Sequence, residues 1–274
     1  MTLPENQIIC GDCLEVMKDW PDGCVDLVFA DPPFNIGKKY TKGDSRDDYR
    51  EWCKRWIAEC WRILKDTGSI YLMTITRHLD WKLPLLAEKG VFINLIKWRN
   101  VSACHGKRSF WGEYQPIALY GKTTDYIFNT YAQRRTILAK NIRWGGYSSS
   151  PQGQLLDYWD DIPFVYAGSI AHPEAILKEG TNSKLHPCQM PIALPSRAIE
   201  FSTNEQALVY EPFAGTGTTC VAAKMLGRRF IGIDISPEYC EIARDRLRAV
   251  DTGVPVKEAR AGQGALFDDT RRQQ

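Results

Sequence analysis

Two short stretches of the chain combine residue types that can do chemistry. The first, Asp31-Pro32-Pro33-Phe34, ends a continuous apolar run, Val25 to Ala30, whose single charge is Asp26 near its start. A run of this kind suits a parallel strand buried on both faces. Two prolines stop it, because they can neither donate to a ladder nor enter a helix interior. What remains is a stiff turn carrying one carboxylate, free carbonyls at Pro32 and Pro33 and a flat ring at Phe34. Such a turn can receive an aromatic amine: carboxylate and carbonyl accept its two N–H bonds while the phenyl face stacks on the ring. The plainer use of the same Asp is to cap a following helix.

The second stretch is Glu211-Pro212-Phe213-Ala214-Gly215-Thr216-Gly217-Thr218-Thr219. A strand over Ala207–Glu211 leads into it and a helix over Thr219–Leu226 leaves it. Glycines in that setting let the backbone come close to a ligand, and the helix N-terminus offers free N–H groups. The next strand, Arg229 to Asp234, ends in an acid that can accept hydrogen bonds from the ribose hydroxyls of an adenosine-type ligand. Cys220 stands where the dinucleotide fingerprint has its third glycine, and no Gly-Lys-Ser/Thr of a P-loop is present. NAD and nucleoside triphosphates are thereby disfavoured, which leaves S-adenosylmethionine as the adenosine ligand. A structural tight turn is the plainer alternative.

The elements that must hold these turns read as an α/β alternation. Strands are expected at Ile8–Cys10, Val25–Ala30, Ser69–Thr74, Val91–Trp98 and Gln115–Tyr120. Helices are expected at Leu14–Trp20, from Tyr49 to the Asp66-Thr67-Gly68 stop, and at Leu79–Lys89. The alternation resumes after Pro191 with a helix over Ile192–Phe201 and closes with a helix over Pro237–Val250. Residues 38–48 read as a mobile polar loop, and the rhythm is lost over 125–181. Strand–helix–strand text of this kind builds a doubly wound sheet. The chain divides into a catalytic half over 1–124, an insert over 125–181, a ligand-binding half over 182–250 and a loose tail over 251–274.

Charge is unevenly spread. Thirty-five Lys and Arg against 33 Asp and Glu give +2 overall, yet between Lys97 and Tyr147 nine basic residues face two acids. That segment carries +7 and the rest of the chain −5, which suits a polyanionic partner as well as a plain solvated face. No apolar run reaches the roughly 18 residues of a membrane span. Met1 to Ile9 lacks a secretory pattern, so a cytoplasmic protein without a membrane partner is expected. Nine cysteines in mostly apolar contexts read as reduced, buried thiols. The lone Cys10-x-x-Cys13 pair lacks the further ligands of a zinc site, so no metal is expected.

Together the Asp31–Phe34 and Phe213–Gly217 motifs resemble the amino-group DNA methyltransferases, the N6-adenine/N4-cytosine family. The catalytic motif comes first, the basic segment second and the cofactor motif last, as in the permuted β class of that family. Gly11-Asp12-Cys13-Leu14-Glu15, Pro21-Asp22-Gly23-Cys24-Val25-Asp26 and His186-Pro187-Cys188-Gln189-Met190-Pro191 fit the same pattern. The resemblance covers roughly residues 7–248 and is poorest over 125–181.

It implies a Rossmann-like methyltransferase sheet in which 125–181 is a small target-recognition region. Asp31, Pro32, Pro33 and Phe34 would hold and stack on a flipped base. Asp12, Phe213, Ala214, Gly215, Thr216, Gly217, Thr218 and Asp234 would hold S-adenosylmethionine, with Asp12 on the strand beside the catalytic one and His186 near the methionine end. Asp rather than Ser at position 31 favours adenine over cytosine in that family, and Phe34 replaces the commoner Tyr. The expected activity is adenine-N6 methylation at a specific duplex site. Cytosine-N4 methylation and a non-catalytic DNA-binding protein of the same fold are the alternatives. Lys107, Arg108, Arg134, Arg135, Lys140 and Arg143 are the expected phosphate contacts on double-stranded DNA. A homodimer is carried as an expectation. In the tail, Gln263-Gly264-Ala265-Leu266-Phe267 resembles the peptides that dock on bacterial sliding clamps.

Overall fold

The computed structural model describes residues 2–37, 45–99, 113–130, 132, 135–136, 152–153, 155–162 and 189–253. The first half runs β1 (Gln7–Cys10), α1 (Cys13–Met17), β2 (Val25–Ala30), α2 (Tyr49–Ile63), β3 (Leu64–Met73), a 3₁₀ turn at Thr76–His78, α3 (Leu79–Ala87), β4 (Val91–Arg99) and β5 (Tyr114–Gly121). Three two-residue strands follow: β6 (Arg135–Thr136), β7 (Gln152–Gly153) and β8 (Tyr158–Trp159). The chain then forms α4 (Ala193–Ser202), β9 (Leu208–Glu211), α5 (Thr218–Met225), β10 (Arg229–Asp234) and α6 (Pro237–Thr252).

Eight strands make one sheet in the order β1-β10-β9-β2-β3-β5-β4-β8. The first five are mutually parallel, and β5 runs antiparallel to β3 and to β4. This is the doubly wound α/β fold expected from the alternation, mostly parallel and Rossmann-like as the family resemblance implies. Successive residues of β2 feed opposite cores, as a strand covered on both faces requires. Leu27 and Phe29 join α4, α5 and α6 on one side. Val28 and Ala30 join α1, α2 and α3 on the other.

That layering decides where a crevice opens. β2 and β9 are adjacent and parallel, Leu27 pairing with Val209 and Val28 with Tyr210. The helix after β2 packs on one face and the helix after β9 on the opposite face. Connections that diverge from neighbouring strand ends leave a gap between them, the switch point where such sheets take ligands. The Asp26 carboxylate locks this pair of strands, accepting the Leu208 N–H at 2.8 Å and ion-pairing with Lys65 at 2.8 Å.

Several local expectations need correction. The second helix stops at Ile63 and not at Asp66-Thr67-Gly68. Its last carbonyls are taken from outside, Arg62 O by the Gly23 N–H and Ile63 O by the Cys24 N–H. Leu64 is then free to pair with Val25. Residues 65–68 bulge against Asp26, and a Cβ on Gly68 would lie 2.7 Å from the Asp26 carbonyl. The first helix ends at Met17, short of Trp20, because the Arg62 guanidinium binds the Met17 and Trp20 carbonyls at 2.8 and 2.6 Å. Cys10, expected to be buried, is exposed because β1 is the edge of the sheet. Of the loop read over 38–48, residues 38–44 lie outside the described residues.

The segment after β5 is tied back to the body at several points. Asn129 donates from its amide to the carbonyls of Glu200 and Thr203 at the end of α4. Arg197 on α4 grips Asp161 through two bonds of 2.9 and 2.6 Å and faces the Trp159 ring. Among the described residues no helix is long and apolar enough to cross a membrane.

Candidate active site

Parallel pairing of β2 with β9 brings together two turns that lie some 180 positions apart in the chain. They share one cavity of about 390 Å³. Asp31, Pro32, Pro33 and Phe34 all line it. No helix follows Asp31 directly, so the capping role is ruled out for that residue. Phe34 is only 8% exposed yet belongs to neither core, so its ring is part of the cavity wall. The two prolines leave the turn no N–H at 32 or 33, so only carbonyls serve as backbone handles there. The Tyr49 hydroxyl on α2 donates to the Pro33 carbonyl at 2.8 Å.

The opposite wall is the glycine turn. Phe213, Ala214, Gly215, Thr216 and Thr218 line the cavity, as do Asp12 and Asp234. Phe213 is braced by Trp52 and Trp56, with ring centroids 5.4 and 5.0 Å away. Gly217 does not line the cavity. Its φ of +78° is left-handed, and a Cβ there would stand 2.7 Å from the Ala243 Cβ on α6. Gly217 is therefore needed for backbone shape and helix packing. Arg246, also on α6 and 6% exposed, donates to the Thr216 carbonyl at 2.7 Å and the Thr218 hydroxyl at 3.0 Å.

Asp234 closes the turn across the β9–β10 boundary. Its two oxygens accept the N–H groups of Gly215 and Ser236, each at 2.8 Å. Burial pushes its carboxyl above the usual range, and these two donors partly oppose that. Each oxygen has a second lone pair, so acceptor capacity remains on the cavity side. Asp12 needs a correction: it was expected on the strand beside the catalytic one, but β10 and β9 stand between β1 and β2. It caps α1, accepting the Leu14 N–H at 2.8 Å. It sits beside Asp234 because Cys10 pairs with that residue.

A fourth cavity acid had no role assigned from sequence. Glu211, the last residue of β9, is 1% exposed, and among the described residues neither of its oxygens makes a well-formed hydrogen bond. Burial first, then the Asp31 and Asp234 charges, push its carboxyl well above the usual range; the Thr219 hydroxyl only partly offsets this. The clue available in sequence was its place: an acid ending a buried apolar strand, as Asp31 nearly does. Arg46, Trp52 and Tyr239 also line the cavity and carried no local motif.

The remaining expected residues lie wholly or partly outside the described residues. His186 lies outside the described residues, although Gln189 and Met190 from the same stretch line the cavity. Lys107, Arg108, Arg134, Lys140, Arg143 and the Gln263–Phe267 segment also lie outside them, and of Arg135 only the backbone is described. Among the described residues no group of three or more His, Cys, Asp or Glu is placed to hold a metal.

Fold and site together define an α/β protein with an acidic diproline turn and a glycine turn on neighbouring strands, both lining one cavity. The chain belongs to the N6/N4 DNA methylase family, whose model matches residues 25–245. It is 34% identical to the DNA adenine methyltransferase YhdJ of Escherichia coli over 88% of this chain and 82% of that one. It is 32% identical to the type II methyltransferase M.BamHI of Bacillus amyloliquefaciens over 96% of this chain. The chain spans 66% of the length of M.BamHI. The crystal structure of the M1.HpyAVI–SAM complex superposes with a TM-score of 0.60 at 23% identity, covering 88% of this chain and 98% of that one, a likeness of fold.

Proposed function

We propose that the chain transfers a methyl group from S-adenosylmethionine to the N6 amine of an adenine swung out of a specific duplex DNA site. The observation that carries this reading is the shared cavity, with the Asp31–Phe34 turn on one wall and the Gly215–Thr218 turn on the other.

The residues present fit the methyl donor. Asp12, Glu211 and Asp234 offer carboxylates to a ligand with ribose hydroxyls, an ammonium and a sulfonium. The unsatisfied Glu211 carboxyl is the kind of buried group a cationic ligand would complete. When bound, S-adenosylmethionine supplies an electrophilic methyl on sulfur.

The amine side is worked by Asp31 and Pro32. An aromatic amine is a weak nucleophile because its lone pair is spread into the ring. Accepting one N–H at the Asp31 carboxylate and the other at the Pro32 carbonyl concentrates that pair on nitrogen and aims it along one line. Fixed geometry supplies much of the acceleration, and acceptors already in place stabilise the positive charge growing on nitrogen. The N–H held by Asp31 grows acidic as this happens, so its carboxylate can take the proton. Phe34 stacks on the base, which must leave the duplex at a cost of a few kcal/mol. No cysteine nucleophile is needed.

The basic segment, with 125–181 as target-recognition region, is read as the DNA-facing part. Residues 1–124 and 182–250 are read as the catalytic and donor-binding halves and 251–274 as a tail. Family membership supports methylation of a DNA amine, and within that the adenine activity named for YhdJ and Asp at position 31 support adenine. The test is transfer of tritiated methyl to DNA, followed by digestion and identification of the labelled nucleoside. N6-methyldeoxyadenosine with wild type and its loss with Asp31→Ala are expected. Labelled N4-methylcytosine would move the reading to cytosine, and unlabelled DNA would end it.

A further inference from the structure

Lys82 lies on α3 with no exposed surface. Burying an ammonium is costly unless a carboxylate or strong acceptor meets it. Among the described residues its polar partner is the Tyr49 hydroxyl, 3.2 Å away, and its charge faces the rings of Tyr49 at 5.5 Å and Trp81 at 5.4 Å. The same Tyr49 hydroxyl donates to the Pro33 carbonyl at 2.8 Å. A hydrogen-bonded line thus runs from a buried cation, through one phenol, to the turn that carries Asp31 and Pro32.

A tyrosine hydroxyl has one hydrogen to give. While Lys82 is an ammonium it can only donate, so the phenol oxygen accepts from it and the phenol hydrogen stays on Pro33. A neutral amine has a lone pair and would compete for that hydrogen. Because the turn has no N–H at 32 or 33, the Pro33 carbonyl is one of the few handles by which the body can hold it.

We propose that Lys82, acting through Tyr49, is a positioning residue for methyl transfer: its ammonium keeps the Tyr49 hydrogen on the Pro33 carbonyl and so fixes the amine-accepting turn. This rests on the reading of that turn given above. It adds a residue nearly fifty positions beyond the motif that sets how well the motif works.

The groups facing Lys82 give the arrangement a pH signature. Burial pushes Lys82 down to about 8, against the pull of the Asp31 carboxylate in the turn. His78, in the 3₁₀ turn, is pushed to about 4, by burial first and then by Lys82 and Arg77, with Asp80 opposing. Its ring is therefore neutral above pH 6. Arg50 lies over the outer ring of the cluster, Trp81, at 5.4 Å. Cys53 is held above its ordinary value by burial and stays a thiol over the same range. Lys82 is the member of the cluster that changes charge between pH 7 and 9.

The test measures single-turnover methylation of duplex DNA at saturating donor from pH 6.5 to 9.5. It compares wild type, Lys82→Met, Tyr49→Phe, the double variant and Lys82→Arg. The wild-type rate should fall above about pH 8. Lys82→Met and Tyr49→Phe should each lose about ten- to a hundredfold in rate at pH 7, keep donor and DNA affinities within about twofold, and lose the alkaline fall. The double variant should lose no more than the slower single one, because the two act in series. Lys82→Arg, which stays charged, should recover rate and hold it through pH 9. Lys82→Met should also melt higher than wild type at pH 7, since it removes a buried charge. Should it fail to fold, Tyr49→Phe carries the test alone. A methylating wild type alongside unchanged rates in Tyr49→Phe, an alkaline fall persisting there, or fully additive losses would overturn the proposal alone. A wild type that methylates no DNA amine would overturn the functional reading and this one with it.

Discussion

The Gly215 N–H donates to Oδ2 of Asp234 at 2.8 Å, so the acid that ends β10 directly fixes the glycine turn that ends β9. The other oxygen takes the Ser236 N–H at the start of α6. One carboxylate therefore shapes the turn on one side and faces the cavity on the other.

Asp234→Asn should separate those duties. An amide can present only one oxygen, so one of the two backbone donors loses its acceptor. Hydrogen bonds to a charged group are worth roughly 1.5–3 kcal/mol. Donor affinity should drop about tenfold or more by calorimetry, with little change in the rate at saturation. Wild-type affinity should weaken as pH falls through the raised Asp234 pKa, because the proton occupies the acceptor the ribose needs.

Glu211→Gln should trade binding for stability. The Glu211 carboxyl titrates well above the ordinary range in the free fold, so the unfolded chain ionises first. Over the interval between the two pKa values the native state holds more protons, and stability falls as pH rises. His78 contributes the opposite slope, so the readout is a difference: from pH 5 to 8 the stability of wild type relative to Glu211→Gln, from melting curves of the free protein, should fall as pH rises. The variant should bind the donor more weakly. An unchanged slope would remove Glu211 from this account.

Gly217→Ala meets two penalties. A left-handed φ of +78° costs an alanine about 1–2 kcal/mol. Its Cβ would also press on Ala243, and overpacking adds roughly 1–3 kcal/mol. A loss of about 3 kcal/mol is expected by denaturant titration. Adding Ala243→Gly should restore the packing part and leave the backbone part.

Arg134→Ala with Arg135→Ala tests the DNA face read from the basic segment. Each lost phosphate contact should reduce the slope of log affinity against log salt by about one. Fluorescence anisotropy with a duplex between 50 and 200 mM salt measures it. A slope equal to wild type would exclude both residues from the interface.

Much of the framework was legible because local rules governed it. Val25–Ala30 and Arg229–Asp234 form strands with the bounds their apolar runs imply. Gly217 caps α5 in the conformation that the turn requires. Where local text misled, a distant partner had intervened. Gly23 and Cys24 end α2 early, and Arg62 ends α1.

By itself the chain determined two rigid turns at strand ends, the acids and ring they carry, and an alternation that has to bury strands between helices. Tertiary structure decided which ends become neighbours. Strand order is chosen by packing between segments far apart in the chain, so no spacing could place β9 against β2 or move β1 to the edge. The same long-range packing left Glu211 unsatisfied beneath the cavity and set Lys82 behind Tyr49. A buried charge is defined by what surrounds it, and those surroundings exist only once the sheet is assembled.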